Sequence, residues 1–146
     1  MATTRRAEVT WTGDLAKGSG VVTAASSSLF KEAPVSWAAR TESPNKTSPE
    51  ELLAAAHASC FAMGLSNGLG KAGTPPTKLQ ISAVVTFAPK PEGGWGISES
   101  ALEVIGTVPG VDQAGFQKAA DAAKDGCPVS QALKNNVKLS VKATLA

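Results

Sequence analysis

Three side chains in this 146-residue sequence can do nucleophilic or soft-ligand chemistry: His57, Cys60 and Cys127, in a chain with one His, two Cys and no Tyr. A closed zinc site takes four Cys or His ligands, so these three would have to borrow a carboxylate or a second subunit. A Ser-His-Asp hydrolase would have to use His57, but no G-x-S-x-G occurs, and Ser59 lies two residues away on an expected helix, pointing elsewhere. The phosphate-binding loop and the dinucleotide fingerprint are absent. Thiol chemistry remains, and it needs the thiolate. At an ordinary pKa of about 8.5 only a few per cent is ionised at neutral pH, so a working cysteine needs a cation or a helix N-terminus beside it.

The two cysteines differ in what the chain can offer them. Cys127 precedes Pro128, which reads as the start of a helix. Cys60 lies deep in a helix, where burial raises its pKa unless a charge reaches it. Arg40 is the candidate cation: it ends the strand-like run Val35–Ala39, lies just ahead of that helix, and keeps its charge at any relevant pH. Blander readings stand beside these. A Cys in an Ala-rich helix is commonly a small buried hydrophobe, and a Cys-Pro after Gly is commonly a loop. Glu50 can be a first-turn carboxylate favoured by the helix dipole. His57, one turn before Cys60, is either its base or, the favoured reading, a core or interface histidine with satisfied hydrogen bonds.

The elements that must position these residues follow from patterning. Ala7–Trp11 and Gly20–Ala24 read as a hairpin, with a third short strand at 35–39. Ser48-Pro49-Glu50-Glu51 is an N-cap serine, a proline at the first helical position and a glutamate closing a capping box. The helix it starts runs to about Leu69, and its Leu52, Leu53, Ala56, Cys60, Met63 spacing reads as buried on most sides. Leu79–Ala88 and Gly96–Thr107 form a long hairpin. Asp112 caps a second helix ending at Gly126, a helical turn follows Cys127-Pro128, and 137–145 alternates as a last strand. Strands and helices fall in blocks, which predicts an α+β fold with antiparallel sheet around a long central helix, in one domain over residues 1–146.

Composition excludes several classes. The chain is 42% apolar and 18% charged, ordinary for a globular protein. Net charge is +2, with 7 basic and 6 acidic groups in each half, so there is no basic face for nucleic acid. The apolar run 52–65 carries His57 and falls short of the ~20 residues a membrane span needs. Without an apolar leader at residues 1–6, the expected compartment is the cytoplasm.

Two stretches then resemble a known family. Thr47-Ser-Pro-Glu-Glu-Leu-Leu-Ala-Ala-Ala-His-Ala-Ser-Cys60-Phe-Ala-Met is similar to the central-helix motif of the osmotically inducible protein C and organic hydroperoxide resistance (OsmC/Ohr) family. Gly126-Cys127-Pro-Val-Ser-Gln131 resembles its second cysteine motif. Trp11–Asp14, Gly18–Val22, the Arg40 segment and Val108–Asp112 also have counterparts, so the resemblance spans nearly the whole chain, and the details look like the OsmC branch. Ser48 departs from the Asn common in the family motif; both residues cap helices.

The resemblance implies a thiol-dependent peroxidase that reduces organic hydroperoxides, with hydrogen peroxide a poorer substrate. It needs no metal, haem or flavin, and it is regenerated by an external dithiol. The resemblance also implies an intertwined homodimer with its sites at the subunit interface. By matching positions Cys60 is the peroxidatic cysteine, Cys127 the resolving one, and Arg40 with Glu50 the supporting ion pair. Ten residues of helix separate Glu50 from Cys60 by about 15 Å, so either Arg40 spans part of that gap or the ion pair serves the partner subunit's thiol, the arrangement preferred here. Phe61, Met63, Leu65 and Phe87 are candidates for an apolar pocket. The competing function is a non-enzymatic small-ligand or stress-response binding protein with inert cysteines; a structural disulfide is disfavoured because cytosolic disulfides are usually transient.

Overall fold

The computed structural model describes residues 1–146. They form two compact units, Met1–Leu52 and Leu53–Ala146. In the first, β1 (Glu8–Thr12), β2 (Ser19–Thr23) and β3 (Ala33–Val35) make an antiparallel sheet in that order. Gly13, at φ 91°, takes the left-handed backbone of the β1–β2 turn, and the Asp14 carboxylate accepts the Lys17 N–H at 2.7 Å. The segment expected as a third strand at 35–39 divides. Its start is β3, but Ser36 Oγ accepts the Ala39 N–H at 3.2 Å and turns the chain into a short helix, α1 (Ala38–Thr41), so Arg40 rides on a helical turn.

The long helix α2 covers Pro49–Lys71, starting where the Ser-Pro-Glu-Glu signal places it. Half of the expected capping box forms: Ser48 Oγ accepts the Glu51 N–H at 3.2 Å, while the Glu51 carboxylate accepts the Thr47 hydroxyl at 2.7 Å. Its length and composition alone would let α2 cross a membrane, which the shorter run 52–65 did not indicate. Core helices pass the same test, and α2 has a core face.

That face belongs to the second unit. There β4 (Lys78–Pro89), β5 (Trp95–Thr107) and β6 (Lys138–Leu145) form a sheet, joined by α3 (Gln113–Gly126) and α4 (Pro128–Leu133). β4 and β5 are the antiparallel hairpin expected, but β5 and β6 run parallel, a correction to the all-antiparallel sheet. The two helices between them form a crossover long enough to return the chain to the same end of the sheet. Alternation puts Leu102 and Val104 of β5 on one face, where they meet Phe61, Leu65 and Leu69 of α2, Phe116 and Ala120 of α3, and Ala143 of β6. Each large side chain in that cluster contributes about 1.5–3 kcal/mol by burial. The buried stripe of α2 is therefore His57, Phe61, Leu65, Leu69, at steps of four. Its remaining faces, Met63 included, are open, contrary to a helix buried on most sides, because only one face meets the sheet.

Gly106 of β5 lets α3 sit this close. A Cβ there would run into the fully buried Phe116 ring. Gly106→Ala is therefore expected to lower the urea midpoint by an amount equivalent to about 1–3 kcal/mol. Adding Phe116→Leu should cost less in the Gly106→Ala background than in the wild-type chain; equal costs would remove this contact from the account.

Candidate active site

In the first unit the charged residues singled out from the sequence meet. Arg40 Nε lies 3.2 Å from both carboxylate oxygens of Glu50, and Nη2 donates to Oε1 at 2.7 Å. This fork-on-carboxylate geometry fixes the guanidinium in plane and direction. The Trp37 ring lies under it, 5.5 Å from centroid to Cζ. Arg40 is also the one charged lining residue of a cavity of about 370 Å³ walled by Val9, Trp11, Leu15, Val35, Trp37 and Leu52, among others. The apolar pocket thus has other walls than those expected: Phe61 and Leu65 are wholly in the core, Met63 is exposed, and Phe87 stacks on Trp95 at 5.1 Å between centroids.

In the second unit the fold brings together two sulfurs 67 positions apart in the chain. Cys60, half-buried on α2, and Cys127, buried between α3 and α4, are free thiols near enough for each to act on the other's ionisation. Cys127 is extended (φ −66°, ψ 123°), as a residue before proline must be, and caps both helices. The Val129 and Ser130 amides, at the start of α4, act to lower the pKa of the nearby thiols, although the Cys127 side chain makes no capping hydrogen bond to that helix. The pair shares its ionisation unequally. Burial pushes the Cys60 thiol up and its neighbour Cys127 adds to this, against the Val129 amide. Burial also opposes the Cys127 thiolate, but the Ser130 amide, the Cys60 thiol, the Ser130 hydroxyl and the Val129 amide together hold its pKa below the ordinary value. No cation is among the groups that shift Cys60.

His57 is wholly buried, with both ring nitrogens taken by serine hydroxyls: Nδ1 to Ser100 Oγ at 2.7 Å and Nε2 to Ser130 Oγ at 2.8 Å. These two serines were not singled out from the sequence. The available signal was a polar residue on an apolar face, Ser100 before Leu102 and Val104 on β5, and Ser130 three places after Cys127. Ser59, by contrast, bonds back to the Ala56 carbonyl at 3.1 Å on the exposed side of α2 and does not meet His57. The chain presents no cluster of three or more His, Cys, Asp or Glu suited to a metal ion.

Burial lowers the His57 pKa, so the folded chain stays neutral there while the unfolded chain takes up a proton below about 6.5. The unfolded state then binds more protons, and stability contributed by His57 is present above that pH and lost as pH falls. Urea unfolding between pH 7.5 and 5.5, a range set by that reference value, should show stability falling by up to about 1.4 kcal/mol per unit below the unfolded pKa. His57→Gln should flatten this slope; an unchanged slope would assign it to other groups.

Known proteins share this sequence and fold. A family model described as OsmC-like protein matches residues 41–142. Over 135 residues, 92% of this chain and 93% of its counterpart, the sequence is 40% identical to the peroxiredoxin OsmC of Escherichia coli (strain K12). It is 35% identical over 105 residues, 68% of this chain and 67% of the relative, to an organic hydroperoxide resistance protein of Xanthomonas axonopodis pv. citri. Among solved structures, the organic hydroperoxide resistance protein OhrB of Bacillus subtilis superposes with a TM-score of 0.73 at 26% identity, covering 95% of this chain and 98% of that one.

Proposed function

The chain belongs to the OsmC-like protein family, and on that premise we propose that it is a thiol-dependent peroxidase reducing organic hydroperoxides to alcohols. The observation that carries this reading is the pair of unbridged thiols, distant in sequence and neighbours in the fold. A binding module with inert cysteines has no need to bring them together.

Cys60 is the peroxidatic residue and Cys127 the resolving one, because Cys60 is the more open and Cys127 is sealed at 1% exposure. The Cys60 thiolate attacks the terminal peroxide oxygen, the O–O bond breaks, and the alkoxide leaves and takes up a proton as the alcohol. Cys60 is now a sulfenic acid. The Cys127 sulfur attacks the Cys60 sulfur, expelling hydroxide, which becomes water with the proton Cys127 gave up. An external dithiol reduces the disulfide by exchange. No step needs a metal or organic cofactor.

Within its own unit the pair favours the thiolate on Cys127, so the first step needs a cation brought to Cys60. We assign that role to Arg40, oriented by Glu50, acting on the thiol of a second copy in an intertwined homodimer. Support comes from the first unit, which leaves Val9, Trp11 and Leu15 substantially exposed around the apolar cavity that Arg40 borders. A second copy covers that surface, and the cavity takes the organic tail of the peroxide by burial. On this reading residues 1–146 act as one domain, and the cycle of oxidation and reduction belongs in the reducing cytoplasm.

One equivalent of cumene hydroperoxide added to reduced protein should remove two thiols per chain and leave a Cys60–Cys127 bridge; retention of both would support the binding module. Cys60→Ser should abolish turnover, whereas Cys127→Ser should react once and then stall or over-oxidise. Arg40→Ala should slow oxidation at pH 7 by about 10- to 100-fold, the worth of one charge-assisted hydrogen bond. Mixed dimers of Cys60→Ser and Arg40→Ala chains should regain about half the wild-type activity per dimer if the ion pair serves the partner, because one site is then intact; activity no higher than the Arg40→Ala homodimer would place it within each chain.

A further inference from the structure

Trp11, Gly20 and Val35 form a row across the three strands of the first sheet, each the register partner of the next, and Val9 pairs with Val22 in the row beside it. Side chains alternate between the faces of a strand and opposed residues share a face. Val9, Trp11, Val22 and Val35 therefore stand on one side of the sheet, and that side walls the cavity bordered by Arg40. The middle of the row holds no side chain. Gly20 is buried, and a Cβ built on it would lie 2.7 Å from Trp11 Cε3, 3.0 Å from the Thr10 carbonyl oxygen and 3.1 Å from Val35 Cγ2. The indole thus rests against the backbone of β2, a close approach that only glycine allows. Its nitrogen is tied as well, Nε1 donating to the Gly13 carbonyl at 2.9 Å, so one large ring is held both by the strand beneath it and by the turn that ends β1.

We propose that Trp11, seated on Gly20, is the specificity-determining residue that sets how bulky an organic hydroperoxide the cavity admits. The role rests on the peroxidase reading, in which this cavity takes the organic tail. Arg40 is the one charged group in a lining that is otherwise almost wholly apolar, so tails are sorted by shape and not by hydrogen bonds. A ring pinned at two points gives the cavity a fixed wall where a free side chain would yield. A side chain at position 20 would rise on the same face, lift the indole off the strand and push it into the cavity. In an apolar pocket a misfit of one methyl or methylene is worth about 10- to 200-fold in discrimination. Hydrogen peroxide has no tail and needs none of this space, so the preference for an organic peroxide over it reports on the wall.

The test compares kcat/KM for cumene hydroperoxide and for hydrogen peroxide, with dithiothreitol as the reductant. In Gly20→Ala the cumene-to-hydrogen-peroxide ratio should fall about 10-fold or more. Trp11→Leu placed in the same chain should return most of that loss, because the shorter side chain clears the filled notch; a sheet merely weakened by the alanine would lose both substrates together and gain nothing from the second change. Trp11→Leu alone widens the cavity, so kcat/KM for triphenylmethyl hydroperoxide relative to cumene hydroperoxide should rise about 10-fold or more. A second measurement needs no turnover: 2-phenyl-2-propanol, the alcohol formed from cumene hydroperoxide, should raise the thermal midpoint of the reduced wild-type chain, and raise that of Gly20→Ala less at the same concentration. Unchanged ratios in Gly20→Ala and Trp11→Leu, or a fall in Gly20→Ala that Trp11→Leu does not rescue, overturn the proposal. Where Gly20→Ala does not fold, the triphenylmethyl-to-cumene ratio of Trp11→Leu decides it alone. A wild-type chain that binds the alcohol but reduces neither peroxide would instead sink the peroxidase reading, and the alcohol measurement would still report on the wall.

Discussion

The approach of the Cys60 and Cys127 thiols is the constraint on which the rest of the second unit converges. Sixty-seven positions of chain have to be folded back to make it. The β4–β5 hairpin lays the sheet on α2, α3 carries the chain across the sheet, and Gly126-Cys127-Pro128 breaks one helix and starts another at the point where the sulfur must arrive. The price of holding two thiols together in a dry place is desolvation, which by itself would leave both protonated and unreactive. Amide and hydroxyl donors from the start of α4 offset this for Cys127. For Cys60 the Val129 amide alone acts against it and does not prevail, and this asymmetry is what calls for a guanidinium on the proposed mechanism.

Much of this was legible in the sequence because the signals are local. Ser48-Pro49 is a helix start by chemistry alone, as is Asp112, whose carboxylate accepts the Gly115 N–H at 2.7 Å. The scarcity of His, Cys and Tyr left thiols as the reactive groups, the central-helix motif carried Glu50, and Arg40 stood out as the cation just ahead of it. What stayed hidden is non-local. Whether β6 pairs parallel or antiparallel depends on the path of a thirty-residue crossover, not on any residue within the strand. The strand-like run before Arg40 became a helical turn because one serine hydroxyl competes for a backbone amide. The stripe of α2 was misread because Ala and Cys are small enough to suit either a covered or an open face, whereas His57, at the head of the Phe61, Leu65, Leu69 row, is the buried, fully hydrogen-bonded histidine expected.

That histidine and Ser100 are the same kind of irregularity. Each is a polar residue in a register otherwise reserved for the core: His57 at steps of four on a helix, Ser100 at steps of two before Leu102 and Val104 on a strand. Alone, either costs free energy when buried. Together, with Ser130 as the third member, they leave no buried side-chain donor or acceptor without a partner. Two irregularities that cancel in space form a constraint stronger than apolar packing. A methyl-for-methyl exchange in the core repacks, but the loss of one member of a hydrogen-bonded row strands the others.

The same constraint separates the duties of the two sulfurs. A thiolate kept by fixed donors inside the fold needs no solvent and no second subunit, and at 1% exposure it is out of reach of a bulky peroxide. A thiolate that depends on a charge from elsewhere is formed only where that charge, and the apolar cavity beside it, are assembled. On the proposed mechanism oxidant therefore meets sulfur at Cys60 alone, while the thiol assigned to trap the sulfenic acid lies next to it, shielded from the reagent. Were both sulfurs activated by the same exposed cation, each would be open to the peroxide, and two sulfenic acids facing each other would leave no thiol to form the disulfide. Unequal ionisation of the pair is thus a condition for the cycle to close.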